Sequence, residues 1–233
     1  MNLKNALSLP IFNTISNAAD ALELETYVIG GFVRDYLLKR NKEVKDIDVV
    51  AVGSGITLAL KVSQILPNKP KVQVFKTYGT AMLRSGNMDI EFVGARKESY
   101  AADSRNPIVE NGTLEDDQNR RDFTINALAI KLNDSGYGDV IDPFDGISDL
   151  ERKIIRTPLD PDITYSDDPL RMMRAIRFAS QLDFMIERTS LESITKNAER
   201  IKIITNERIV DELHKIMLSP TPSKGFLHAR SSR

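Results

Sequence analysis

Apolar and polar positions follow two different periods along residues 1–156, and these periods predict a mixed domain of strands and helices. Strands are predicted from short apolar or alternating runs at 26–31, 46–52, 71–75, 79–85 and 88–93. Helices are predicted from amphipathic runs at 32–40, 56–66 and 121–132. The segment 139–155 reads as a short strand, a turn and a helix. A polar stretch without periodicity at 97–119, broken by Pro107 and Gly112, predicts a long functional or mobile loop.

The pattern changes near residue 157, and from Asp167 onward it is helical throughout. Three amphipathic helices are predicted there, at 169–182, 190–201 and 206–218. The chain therefore divides into an α/β (α+β) domain with a short mixed sheet at 1–156 and an all-helical domain at 157–233.

Composition narrows the class of protein. The 233 residues carry 32 basic and 33 acidic side chains, a net charge of −1, so that any contact with nucleic acid requires a local basic patch. The absence of cysteine excludes disulfides and thiolate metal sites and suits the cytoplasm. No apolar run approaches the roughly 20 residues that a membrane span needs. We expect a cytoplasmic monomer without a membrane partner.

Two aspartates, Asp46 and Asp48, stand at the start of the second strand. Alternate residues of a strand project to the same face, about 7 Å apart, so both carboxylates are directed to one place. Like charges at this spacing are costly unless a cation neutralises them or one carboxyl binds a proton. Carboxylates suit Mg²⁺, although a pair of solvated acids at a strand edge also fits this short pattern.

The stretch before these aspartates places Gly30 and Gly31 between a strand and a helix, with Arg34 one helical turn later. Glycine allows the backbone to approach a phosphate, and Arg34 would lie on the side of a bound triphosphate. A tight strand-to-helix turn also uses glycine. The combination of the turn, the arginine and the two aspartates indicates nucleotide chemistry.

The stretch "DDPLRMMRAIR" begins with an N-cap, Asp168, followed by Pro169 at the first helical position. Arg171, Arg174 and Arg177 follow at steps of three, which keeps them within an arc of about 120°. A solvated basic stripe would show the same spacing. A carboxylate beside a guanidinium can also hydrogen-bond the polar edges of both cytosine and adenine.

The motifs "GGFVRD…KDIDVV", "RRDFTINALA" and "DDPLRMMRAIRFA", over roughly residues 25–218, resemble those of class II tRNA nucleotidyltransferases (CCA-adding enzymes) and the related bacterial poly(A) polymerases. These belong to the polymerase-beta-like nucleotidyltransferase superfamily. The resemblance implies a catalytic head at 1–156 and a helical neck at 157–233 that selects the nucleobase. Asp167 stands where the family more often has Glu, a change that keeps the charge.

The resemblance also implies roles for residues. Asp46 and Asp48 would hold two Mg²⁺ ions, and Glu91 would stand beside them, although Glu91 also fits an exposed strand acid. Arg121 would contact the incoming nucleotide and Asp122 would lie near the ribose, although Asp122 could instead cap the predicted helix. The remaining nucleotide-binding residues implied are Gly30, Gly31, Arg34, Asp168, Arg171, Arg174 and Arg177. Asn126 would support the same site. Arg208 and Glu212 would stabilise the neck, at a spacing that fits an intrahelical salt bridge.

The activity implied is template-independent addition of C, C and A from CTP and ATP to tRNA 3′ ends. Poly(A) polymerase activity, partial CC- or A-addition and a non-catalytic nucleotide-binding module are the alternatives. The chain is shorter than the family's members, and we expect a piece that ends before their body and tail and holds tRNA weakly.

Overall fold

A computed structural model describes residues 1–40, 43–99 and 108–225 of the protein. The chain forms two compact units. Of the described residues, the first unit contains 1–40, 43–97, 110–118 and 126–143, and the second contains 98–99, 108–109, 119–125 and 144–225. Among the residues that the structure describes, no helix is both long enough and apolar enough to cross a bilayer.

The first unit is built on a seven-stranded sheet with the strand order β3-β4-β5-β2-β1-β8-β9. Its strands are β1 (Thr26–Ile29), β2 (Asp46–Ala51), β3 (Gln73–Phe75), β4 (Thr80–Ser85), β5 (Met88–Gly94), β8 (Ala129–Lys131) and β9 (Val140–Ile141). Strands β2 and β5 are parallel, and every other neighbouring pair in this sheet is antiparallel. The mixed sheet that the sequence predicts is confirmed.

Helix α1 (Pro10–Ala21) precedes β1, α2 (Gly31–Leu37) connects β1 to β2, and α3 (Gly55–Ile65) connects β2 to β3. Helix α1 was not predicted. The apolar positions of β2 and β5 that alternate with the acids, such as Ile47, Val49 and Phe92, are fully buried on one face of the sheet. Helices α1 and α3 contact each other, and α3 also contacts β2, β4 and β5. The acids of β2 and β5 lie on the other face of the sheet, where Tyr27, Ile29 and Val50 belong to a second hydrophobic cluster.

The predicted helix at 121–132 is wrong. A 3-10 turn occupies Thr124–Asn126, and the following residues form β8, which pairs with β1 and β9. Ala129 and Ile130 are completely buried. A strand buried on both faces is a continuous apolar run without alternation, so the sequence pattern alone does not distinguish it from a short buried helix.

The predicted loop at 97–119 is only partly correct, because ordered elements border it on both sides. Strands β6 (Arg96–Ser99) and β7 (Ile108–Asn111) form a two-stranded sheet, and α4 spans Leu114–Asn119. Thr113 and Asp116 exchange hydrogen bonds at the start of α4. That reciprocal pattern is a capping box, a signal that the sequence already contained. Residues 100–107 of the predicted loop lie outside the described residues.

The second unit is mainly helical, and three of its helices correspond to those predicted after Asp167. Its helices are α5 (Gly146–Arg152), α6 (Pro161–Asp167), α7 (Leu170–Leu182), α8 (Arg188–Asn197) and α9 (Asn206–Met217), with a 3-10 segment at Ala198–Ile203. Two short strands, β10 (Ile154–Ile155) and β11 (Met185–Ile186), pair in parallel within this unit. Strand β10 follows α5 in the chain, and β11 follows α7. Helix α7 packs against α9, and α6 packs against α8.

Candidate active site

The carboxylates of Asp46 and Asp48 lie on the face of the sheet opposite to the buried Ile47. Strand β2 lies between β5 and β1, in the interior of the sheet, and at its start Asp46 is exposed and Asp48 is half-buried, so a pair of solvated acids at the strand edge stays an alternative. In the register of the parallel pair, Asp46 is opposite Asp89 and Asp48 is opposite Glu91. Side chains in register on neighbouring strands share a face, so Glu91 projects on the same side as the two aspartates.

The turn that precedes α2 depends on Gly30. Its backbone has φ 81° and ψ −130°, a conformation that is essentially restricted to glycine. The N–H of Gly30 donates to the carbonyl of Leu128 (3.1 Å), which fixes the turn against the chain that leads into β8. Gly31 has no such restriction, because a Cβ placed there would meet only the Nη2 of Arg34, at an ordinary contact distance of 3.6 Å.

A cavity of about 620 Å³ brings these elements together within the first unit. Gly31, Arg34, Asp46 and Asp48 all line it, and Arg40 adds a second guanidinium. The glycine turn with its arginine and the aspartate pair were predicted from two neighbouring stretches of sequence. The fold places them around one space large enough for a nucleotide.

Arg34 is buried, and its guanidinium is held by two side chains. Its Nε donates to Oδ1 of Asp35 (2.9 Å), and its Nη1 donates to Oδ1 of Asn126 (2.6 Å). Asp35 also accepts from Arg40 (3.4 Å). These bonds fix the position of one positive charge at the wall of the cavity, and they give Asn126 a concrete supporting contact.

Arg121 and Asp122 lie in the second unit, in the segment that leads to the 3-10 turn. Oδ1 of Asp122 accepts from the backbone N–H of Phe123 (2.9 Å), and Oδ2 pairs with Nε and Nη2 of Arg174 (2.7 and 2.5 Å). The alternative of Asp122 as a helix cap is wrong, since no α-helix follows. The neighbouring carboxylate of Asp122 raises the pKa of Arg174 above its ordinary value, against the opposing effect of burial.

The three arginines of α7 have specific partners and do not form a solvated stripe. Nη2 of Arg171 donates to the carbonyl of Arg120 (2.6 Å), and Arg174 pairs with Asp122. Nε of Arg177 pairs with Oε2 of Glu212 on α9 (2.6 Å), and its guanidinium lies 4.1 Å from the ring centre of Phe178. Burial, followed by the charge of Arg174, lowers the pKa of Arg177.

Asp168 and Glu212 are two of the residues that the resemblance places in the neck. The helix begins at Leu170, one residue later than predicted, and Oδ1 of Asp168 accepts from the N–H of Leu170 (3.2 Å). Glu212 is buried, and its carboxylate binds Arg177 on α7 and Lys215 on its own helix, α9. Its pairing with Arg177 joins α9 to α7.

A further buried carboxylate, Asp149 on α5, was missed by the sequence interpretation. Oδ2 of Asp149 accepts from Oγ1 of Thr124 (2.7 Å) and from Nε of Arg156 (2.9 Å). The N–H of Thr124 in turn donates to the carbonyl of Arg156 (2.8 Å). This cluster holds the segment that carries Arg121 and Asp122. No local sequence pattern indicates this cluster, because Thr124, Asp149 and Arg156 come from three separate stretches of the chain.

The residues that could hold a metal ion form a partial ligand set. Among the described residues, no group of three or more His, Asp or Glu side chains is close enough to bind a metal unaided. Asp46 and Asp48 provide two carboxylates at the cavity wall. Mg²⁺ commonly binds through one or two carboxylates and completes its shell with substrate phosphates and water, so this arrangement fits a metal that arrives with a nucleotide.

The mixed sheet, the Gly-Gly turn and the aspartate pair surround a nucleotide-sized cavity, the arrangement that the sequence led us to expect of a nucleotidyltransferase head. The chain belongs to the poly A polymerase head domain family, which matches residues 26–156. A second family, described as a probable RNA and SrmB-binding site of polymerase A, matches residues 183–233. The resemblance to CCA-adding enzymes and bacterial poly(A) polymerases is thereby confirmed.

Curated relatives include an A-adding tRNA nucleotidyltransferase of Aquifex aeolicus and a CCA-adding enzyme of Pediococcus pentosaceus, each 40% identical. The alignments cover 82% and 87% of this chain, but only 23% and 48% of those relatives. Solved structures of similar fold include a CCA-adding enzyme in apo form (TM-score 0.88, 32% identity, 100% of this chain and 56% of that one). Another is a CCA-adding enzyme with CTP (TM-score 0.84, 32% identity, 100% and 53%). The chain thus spans about half or less of the length of these curated relatives.

Proposed function

We propose that the chain is the nucleotidyl-transferring part of an enzyme that adds C, C and A to tRNA 3′ ends from CTP and ATP, with release of pyrophosphate. The observation that carries this proposal is the cavity in which Asp46 and Asp48 face Gly31 and Arg34. A nucleoside triphosphate can bind to a metal held by carboxylates, to the backbone of a tight turn and to a fixed guanidinium, and the cavity offers these three kinds of group. The names of the relatives support the choice of tRNA as the substrate.

The aspartates would hold two Mg²⁺ ions, as in other enzymes that displace pyrophosphate with an RNA hydroxyl. When bound, Mg²⁺ supplies charge neutralisation at the α-phosphate and lowers the pKa of the attacking 3′-hydroxyl. Asp46 and Asp48 alternate on an interior strand, so the backbone of β2 directs both side chains to the same face. Glu91, which is in register with Asp48, would orient a ligand beside the two aspartates.

The cavity wall would hold the triphosphate. Arg34 is already oriented by Asp35 and Asn126, so little side-chain entropy is lost when it meets a phosphate. Gly31 has no side chain and therefore leaves space for the triphosphate beside the guanidinium of Arg34. Arg121 would add a further positive charge to the nucleotide. These groups stabilise the charge that develops on the departing pyrophosphate.

Selection of the base would fall to Asp168 and Arg171 at the start of α7. A carboxylate accepts from the exocyclic amine that cytosine and adenine share, and a guanidinium donates to their ring acceptors. The hydrogen bond from Arg171 to the carbonyl of Arg120 uses one of five N–H groups and fixes the plane of the guanidinium. Arg174 and Arg177 would contact the nucleotide while their carboxylate partners hold them in place.

The relatives include both CCA-adding and A-adding enzymes, so partial addition is the second candidate function. The test is incorporation of labelled CTP or ATP, with Mg²⁺, into tRNA transcripts that lack CCA or that end in CC. We expect both nucleotides to be incorporated in the order C, C, A. Incorporation of ATP alone into the transcript that ends in CC would favour A-addition, and ATP tailing of arbitrary RNA would favour a poly(A) polymerase.

The metal assignment is tested in the same assay with Asp46→Ala and Asp48→Ala. We expect either change to reduce transfer by about a hundredfold or more while the protein stays folded. Asp89→Ala is the matched control, because Asp89 lies on the same face of the sheet and pairs with Arg84 instead of lining the cavity. Full incorporation by the Asp46 and Asp48 variants would contradict the assignment, and CTP binding without turnover by the unaltered protein would favour a non-catalytic module. The monomeric state and the cytoplasmic location stay predictions.

A further inference from the structure

A strong local charge asymmetry is concealed by the near-zero net charge of the chain. Residues 49–88 contain five basic side chains and no acidic one, whereas the whole chain has a net charge of −1. The remainder of the chain therefore carries −6, since −1 minus +5 is −6. A basic region of this kind is the electrostatic footprint that a nucleic-acid contact requires.

Part of this region lies on the open edge of the sheet. Strand β3 is the edge strand, and every residue from Gln73 to Tyr78 is exposed. Two aromatic rings stand out of this segment, Phe75 with 44% of its surface exposed and Tyr78 with 68%. We call Lys71, Gln73, Phe75, Lys76 and Tyr78 the edge patch.

The register of the strands relates the edge patch to the aspartates. Gln73 is opposite Met82, Met82 is opposite Glu91, and Glu91 is opposite Asp48. Residues in one such row share a face, and Phe75, two residues after Gln73, shares it too. With a spacing of about 4.8 Å between strands, the patch begins roughly 14 Å from β2 on the carboxylate face.

The chemistry of the patch favours single-stranded RNA over a protein strand. Exposed rings offer stacking surfaces to bases, and neighbouring lysines meet phosphates. Lys71 and Lys76 flank the edge strand, and lysines at an edge discourage pairing with another polypeptide strand. Nη1 of Arg96 donates to the carbonyl of Tyr78 (3.4 Å), which ties down the backbone of the turn that presents the ring.

We propose that the edge patch binds the single-stranded 3′-terminal segment of the RNA that is to be extended. Bases stack on Phe75 and Tyr78, and Lys71 and Lys76 contact the phosphates. This inference rests on the proposed function, since it supplies the acceptor strand for the chemistry at Asp46 and Asp48. The incoming nucleotide occupies the cavity, and the patch is a separate surface of the same unit.

The test compares Phe75→Ala and Tyr78→Ala with Val74→Ala. Val74 directly precedes Phe75 in sequence and is 37% exposed, but it projects to the opposite face of β3, which makes it a matched control. Binding of a fluorescein-labelled 12-nucleotide RNA that ends in CC is followed by anisotropy. We expect each aromatic variant to bind about 5- to 100-fold more weakly and Val74→Ala to bind like the unaltered protein.

Two further measurements separate the patch from general effects. We expect Lys76→Gln to reduce the slope of log K against log salt by about 0.7, the value for one phosphate contact with a single strand. RNA that carries 5-iodouridine near its 3′ end should crosslink to residues 73–78. Thermal unfolding and CTP affinity, measured without RNA, report whether each variant keeps its fold.

The outcomes distinguish this inference from the proposed function. If the unaltered protein transfers nucleotides but both aromatic variants bind RNA normally and the crosslinks lie elsewhere, the patch inference is overturned. If the protein transfers no nucleotide to any RNA, the proposed function fails. In that case, weaker RNA binding by the aromatic variants still supports the patch as an RNA surface.

Discussion

Replacing Asp122 by Asn would leave the guanidinium of Arg174 without its charged partner inside the second unit. Oδ2 of Asp122 receives both Nε and Nη2 of Arg174, and Asp122 is only 7% exposed. Removal of one partner from a buried ion pair costs about 3–5 kcal/mol. The side chain of Arg174 keeps 35% of its surface exposed, so water replaces part of the lost interaction and we expect about 2–3 kcal/mol.

A double-mutant cycle isolates the pair itself. Asp122→Asn, Arg174→Gln and the double variant are compared by urea unfolding, followed by far-ultraviolet circular dichroism. We expect a coupling free energy of about 2 kcal/mol, because the second change costs little once the first partner is gone.

The chain provides a matched control in the pair of Arg188 and Glu192, which is also an arginine–carboxylate pair at 2.8 Å. Its side chains are 90% and 63% exposed, so water competes for both charges. We expect no resolvable coupling there. A coupling at Asp122 and Arg174 no larger than in this control would refute the argument that burial gives the pair its strength.

Three further predictions follow from single contacts. Gly30→Ala should destabilise the protein by about 1–3 kcal/mol in thermal or urea unfolding, because its backbone conformation suits only glycine, whereas Gly31→Ala should keep the fold and weaken CTP binding measured by calorimetry. Equal stability of the two variants would contradict this difference between the glycines. Asp149→Asn should lower the free energy of unfolding by about 2–3 kcal/mol, since Thr124 and the half-buried Arg156 lose a charged acceptor, whereas Glu151→Gln, at an exposed position, should be as stable as the unaltered protein. Similar free energies of unfolding for the two variants would count against a stabilising role of the buried cluster. Arg171→Ala should impair the choice among nucleotides more than the rate with a saturating one, as judged by competition between CTP and UTP, and unchanged selectivity would remove Arg171 from base recognition.

The candidate site was predictable from the sequence to the extent that its features are local. The alternation of Asp46 and Asp48 with buried neighbours fixes their common face, because the period of a strand is two residues. Gly30 marks a backbone conformation that other residues rarely adopt. The mixed sheet and the mainly helical second unit also followed from periodicity. The roles of these residues in binding and catalysis stay predictions until the experiments above are done.

Only the tertiary structure decided which distant residues meet. The run that contains Ala129 and Ile130 reads equally as helix or strand, and pairing with β1 and β9 makes it a strand. The arginines of α7 were placed on one face by their spacing, but their partners come from elsewhere in the sequence. The sequence by itself determined what each short segment can do, since backbone preferences and side-chain periods are local. Burial, ion pairing and the cavity depend on contacts between segments, and only the packed structure determines those.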